Sequence, residues 1–117
     1  MMIVALGMSL IPLFAEGNSC RVSGDDSVNG EVILVNNNAQ SRGSKGNAQV
    51  STRVRFKGTS GNVRTVNVMV YLYDAQGNYV TAQSVTVDTN GTPKPVFFDN
   101  VKENTAYRFK VSDATCQ

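Results

Sequence analysis

The chain has 117 residues, enough for one hydrophobic core and too few for two. An apolar fraction of 41% and a charged fraction of 17% exclude global disorder, and a net charge of +2 is too weak to imply a nucleic-acid partner. With no histidine and no tryptophan, Ser-His-Asp and Cys-His catalysis and histidine-based zinc sites are excluded.

Met1 to Phe14 is an almost unbroken apolar run ending at Pro12-Leu13-Phe14, with Ala15-Glu16-Gly17 after it. It is shorter than the roughly 20 residues that a membrane helix needs. It has the apolar core and small-x-small site of a secretory signal peptide, so a leader over 1–17 and a single mature domain over 18–117 are expected. No Lys or Arg precedes the run, and a greasy first strand or a retained anchor is the alternative. Export predicts a secreted or cell-surface domain with no stable membrane span after cleavage. Cys20 and Cys116 would then lie near the two ends of that domain. Paired within one chain they would close almost all of it, for at most about 4–5 kcal/mol of loop entropy. Two free thiols or bonds between subunits are the other options.

The body of the chain reads as strands. Glu31 to Val35 is a short apolar run of the kind covered on both faces. Asn36 to Asn47 is polar throughout except Ala39, predicting a mobile loop or a linker across one end of the fold. Gln49 to Lys57 alternates, with Val50, Thr52, Val54 and Phe56 inward and Arg53, Arg55 and Lys57 outward. Gly58 to Asn62 reads as a hairpin that returns the chain with Val54 opposite Val66, Arg55 opposite Thr65 and Arg53 opposite Asn67.

From Thr65 the alternation is cleanest, with Val66, Val68, Val70 and Leu72 on one face and Asn67, Met69, Tyr71 and Tyr73 on the other. Asp74-Ala75-Gln76-Gly77 predicts a turn, because Asp can bond the backbone two residues on and Gly tolerates positive φ. The returning strand has a phase conflict: Val80 and Ala82 are even, Val85 and Val87 odd. A bulge near Gln83-Ser84 would bury all four; without it Val85 and Val87 face outward. Pro93 and Pro95 argue against a central strand there. Val96 to Phe98 is a short strand, Asn100 to Asn104 a turn, and Thr105 to Ser112 the last strand, with Tyr107, Phe109 and Val111 inward and Arg108 and Lys110 outward. About seven antiparallel strands and no helix beyond the leader make an all-β, immunoglobulin-like sandwich the expected class.

Val101 to Val111, VKENTAYRFKV, resembles the end of a fibronectin type III domain, where Thr-x-Tyr precedes an alternating strand. The resemblance implies that Tyr107 is a tyrosine corner, its hydroxyl bonding back to the preceding turn. Val68 to Val111 is also similar to the prealbumin-like modules of bacterial surface proteins. They share a strand, an Asp-x-x-Gly turn, a strand, a Gly-containing loop, an aromatic strand and a Tyr-x-aromatic-x-Val strand. Both resemblances imply a sandwich and no particular activity.

Asp88-Thr89-Asn90-Gly91-Thr92 resembles a fragment of a calcium loop but has no closing Glu, so an Asn-Gly turn is expected, and Asn90-Gly91-Thr92 is a glycosylation acceptor where the host glycosylates. The carboxylates sit mostly in turns, and no pair is placed to perturb one another. No enzyme activity, cofactor or metal is therefore expected. The surface signal is Arg53, Arg55, Lys57, Tyr71, Tyr73, Arg108 and Lys110, which would form one basic, aromatic face if their strands share a sheet. Such a face suits an extracellular polysaccharide or acidic protein partner, since Arg pairs with carboxylates and Tyr rings stack. Exposed strand positions also favour Arg and Tyr with no ligand at all. The alternatives are a subunit of an extracellular filament or matrix, homo-oligomeric through its sheet edges, and an inhibitor of a secreted hydrolase acting through Thr89 to Pro95.

Overall fold

The alternating segments fold as antiparallel strands in the computed structural model, which describes residues 19–21, 29–59, 61 and 63–112. In chain order they are β1 (Ser19–Arg21), β2 (Asn29–Leu34), β3 (Asn38–Gln40), β4 (Ala48–Thr59), β5 (Thr65–Asp74), β6 (Tyr79–Asp88), β7 (Lys94–Val101) and β8 (Ala106–Ser112). Among the described residues there is no helix, and hence none long and apolar enough to cross a membrane. The leader expected over 1–17, Cys116 and the side chain of Cys20 lie outside the described residues, and the disulfide expectation with them.

The strands form two four-stranded sheets, β1-β2-β4-β7 and β3-β8-β5-β6. Their facing sides close over one core, because alternation delivers an apolar residue at every second position of the long strands. Val50, Val54 and Phe56 of β4, Val66, Val68, Val70 and Leu72 of β5, and Tyr107, Phe109 and Val111 of β8 are all buried, as the alternation predicts. Phe98 of β7 and Phe109 of β8 stack across the two sheets, ring centroids 6.1 Å apart. Thr52 is a buried polar residue in this wall, and its hydroxyl donates to the Asn36 carbonyl at 2.7 Å, so its burial leaves no unmet hydrogen bond.

Several expectations are corrected. The hairpin between β4 and β5 does not exist: β4 ends at Thr59 in one sheet and β5 begins at Thr65 in the other. β4 pairs with β2 and β7, with Val54 opposite Leu34 and Lys94, whereas Val66 lies opposite Val87. Both arrangements bury the same residues, so alternation alone does not distinguish a neighbour in the sheet from one across the core. β2 is covered on one face only, with Val32 and Leu34 buried, Ile33 part-exposed and Val35 beyond its end 45% exposed.

The polar segment from Asn36 does link the sheets, as a linker across one end would. It is also structured, since β3 pairs with Ala106–Arg108 and Ser41 is buried. The β6 bulge lies at Val80, not at Gln83-Ser84. Leu72 faces Thr81 and Tyr73 faces Tyr79, leaving Val80 as the extra residue. The strand is regular through Gln83-Ser84, yet Val85 and Val87 do not face outward: they lie opposite Val68 and Val66 and are buried, while Val80 is 42% exposed.

Two of the turns read from sequence form as expected, while the one expected from Asn100 starts later, because β7 runs to Val101. Asp74 Oδ1 accepts from the Gln76 and Asn78 amides at 3.0 and 2.9 Å, and Gly77 has φ +90°. The Asn90 side chain accepts from the Thr92 amide at 2.9 Å, and Gly91 has φ +94°. Asn90 thus spends its side-chain oxygen closing its own turn.

Candidate functional site

Placing β4 and β5 in different sheets divides the seven predicted face residues into two groups. Arg53, Arg55 and Lys57 project from the outer side of β1-β2-β4-β7. Tyr71, Tyr73, Arg108 and Lys110 project from the outer side of β3-β8-β5-β6. The core lies between them, so no ligand of ordinary thickness touches both groups.

The first group has mixed surroundings. Lys57 faces Glu31 across β2, Arg55 faces Ile33, and Arg53 faces Pro95. Phe97, 48% exposed, faces Ser51, and Gln49 donates to Asp99 at 2.6 Å in the next pair. Cations, an acid and apolar side chains alternate there without a common chemistry.

The second group is more uniform. The register aligns Asn38, Arg108, Tyr73 and Tyr79 in one row across β3, β8, β5 and β6, and Lys110, Tyr71 and Ala82 in the next row. Side chains directly opposite one another in such rows have Cβ atoms about 4.5–5.5 Å apart. Each cation therefore sits beside a tyrosine. Tyr79 meets Tyr71 and Tyr73 edge-on, with ring centroids 6.1 Å apart in both pairs and interplanar angles of 63° and 72°. Such edge-to-face contacts contribute about 0.5–1.5 kcal/mol each beyond burial, which fixes the rings without a ligand.

Tyr79 was not among the predicted face residues, and the bulge explains its place. Continued at the register of Leu72 with Thr81, the strand would put Tyr79 in the inward phase of Val85 and Val87. The extra residue at Val80 brings it opposite Tyr73 instead, on the outer side and 59% exposed. Its nearness to Tyr73 across a short turn was the available signal.

The Asp74 turn closes the end of this face. The Asp74 carboxyl is held below its ordinary range, first by the Asn78 backbone amide; desolvation, the next effect, opposes this, and the Asn78 side chain and the Gln76 and Gly77 amides add to the lowering. The face therefore combines an arginine and a lysine, which attract carboxylate or sulfate, with fixed aromatic rings suited to apolar C–H surfaces. It is open, not a pocket.

Elsewhere, an open, mostly polar cleft of about 700 Å³ lies where β3 leaves one sheet and β4 enters the other, with Gln40, Arg42, Gln49 and Asn104 on its walls. Comparison of the chain with protein-family models, with curated proteins and with solved structures gives no match in any of the three.

Proposed function

We propose that this protein is an exported, non-catalytic binding module of immunoglobulin-like architecture that recognises a carboxylated surface polysaccharide. The ligand would lie across the outer side of β3-β8-β5-β6. The observation that carries this reading is the register that sets Arg108 beside Tyr73 and Lys110 beside Tyr71, with Tyr79 packed edge-on against both tyrosines. An acidic sugar chain offers the two complementary features, a carboxylate for the cations and a C–H face for the rings. The architecture is supported by the Lys102 amide, which donates to the Tyr107 hydroxyl at 3.0 Å as a tyrosine corner does.

Retention on immobilised polygalacturonate, with dextran as the neutral control, tests the reading. The wild type should be retarded on the acidic matrix alone, and less so as salt rises. Arg108→Glu with Lys110→Glu should abolish retention, while Arg53→Glu with Arg55→Glu on the opposite side should leave most of it. Loss of retention in the second variant and survival in the first would refute the assignment of the face.

A further inference from the structure

The sheet edges of this fold are unequal. The Thr89 amide donates to the Arg64 carbonyl at 2.9 Å, which makes Arg64 and Thr89 a hydrogen-bonded pair. The register then runs unbroken from Thr65 opposite Asp88 to Leu72 opposite Thr81. Hydrogen-bonded and non-hydrogen-bonded pairs alternate along it, so the odd residues of β6 bond to β5. Ala82, Ser84 and Thr86 turn their N–H and C=O groups to the other side. Among the described residues no strand pairs with that side.

Natural edges are usually blunted by charge, proline, bulges or brevity. β7 has three of these devices: Pro95 lacks an N–H, Lys94 begins the strand, and Ala48 facing Val101 while Gln49 faces Asp99 leaves Asn100 as a bulge with φ +58°. The Gln83 side-chain Nε2 also donates to the Phe97 carbonyl and occupies part of that edge. β1 and β3 have three residues each. By contrast, Tyr79 to Val87 contains no charge, no proline and no glycine. Its one irregularity, at Val80, lies at the turn end.

We infer that the β6 edge pairs with the β6 edge of a second copy of this chain, antiparallel about a two-fold axis at Ser84. Ser84 would face Ser84 of the second copy, and Ala82 would face its Thr86, every one of these residues presenting a donor and an acceptor. The self-pairing is favoured because nothing in the strand repels itself. The outward side chains Ala82, Ser84 and Thr86 are small and form no pockets of the kind that select a foreign strand. The contact is isologous and closes, so it yields a dimer and not a filament. It does not depend on the polysaccharide reading, but it would set two tyrosine faces side by side on one continuous sheet.

Light scattering on the purified full chain, from micromolar to millimolar concentration, tests the inference together with a charge exchange at the axis. The wild type should reach dimer mass and stop there. Ser84→Lys and Ser84→Glu should each be monomeric over the same range with unchanged circular dichroism, because each sets like charges opposite one another. Their equimolar mixture should recover dimer mass. All three proteins share the N-terminal apolar run, so association through that run would not be undone by one charge and restored by mixing. A wild type that stays monomeric, single variants that still dimerise, or a mixture that stays monomeric would each overturn the β6 pairing.

Discussion

At the scale of single residues, the turn before β8 is tied from two sides. The Lys102 amide donates to the Tyr107 hydroxyl, and the Ser41 hydroxyl donates to the Lys102 carbonyl at 2.7 Å while accepting from the Thr105 amide at 2.9 Å. Tyr107→Phe leaves the Lys102 amide without that acceptor. It should destabilise the fold by about 1–2 kcal/mol, read as a lower urea midpoint at unchanged slope. Ser41→Ala should cost a similar amount, and the double variant should depart from additivity because both hydroxyls hold the same turn. Tyr107 was legible from the Thr-x-Tyr spacing. Ser41 was not, since a serine in a run of Asn, Gln, Ser and Gly looks like any loop residue until β3 brings it beneath the turn.

Asp74 makes its turn depend on pH. Its pKa is lower in the folded state than in the unfolded chain, so ionised Asp74 favours folding above the unfolded value of about 3.9, and the contribution disappears as pH falls through the folded value. Asp74→Asn retains an acceptor for the Gln76 and Asn78 amides but cannot titrate. Its thermal midpoint should be lower than that of the wild type at neutral pH, and the two should converge as the solution is acidified below about pH 4. A constant difference across that window would mean that the carboxylate charge contributes nothing to the turn.

At the scale of elements, alternation identified the buried face of β4, β5 and β8, because burial on one side is a local property with period two. Pairing is not local, and the assumed β4 to β5 hairpin failed for that reason: a five-residue Gly-rich segment can turn back within a sheet or cross to the next one. The β6 phase conflict needed no irregularity to settle it: the strand is regular from Thr81 to Asp88, so Val85 and Val87 are buried and Ala82 lies on the outer row, and the bulge at Val80 comes from where Tyr73 and Tyr79 meet. The pairing of β2 with β4 has its own close fit at Gly30, which lies opposite Gly58. A Cβ at Gly30 would fall on the ring of Phe56 and lie 2.7 Å from the Lys57 carbonyl oxygen. Gly30→Ala should therefore destabilise by about 1–3 kcal/mol as an overpacked core site, measured by denaturant titration. A neutral result would show that the Phe56 ring has room to move.

At the scale of the whole molecule, the consequence of topology is that the cations of β4 and the cations of β8 belong to opposite surfaces. The residue types of the predicted face were legible, since outward positions follow from alternation, but their division between sheets was not. What remains on the β3-β8-β5-β6 side is a smaller and chemically more uniform set, Tyr71, Tyr73, Tyr79, Arg108 and Lys110. The most direct test is to titrate the isotopically labelled protein with an oligomer of galacturonate and follow the backbone amide signals by NMR. Shifts concentrated at Tyr71 to Tyr73, Tyr79 to Ala82 and Arg108 to Lys110, with Arg53 to Lys57 unmoved, are the predicted result. Shifts centred on Arg53 to Lys57, or none at concentrations where retention is measurable, would contradict it.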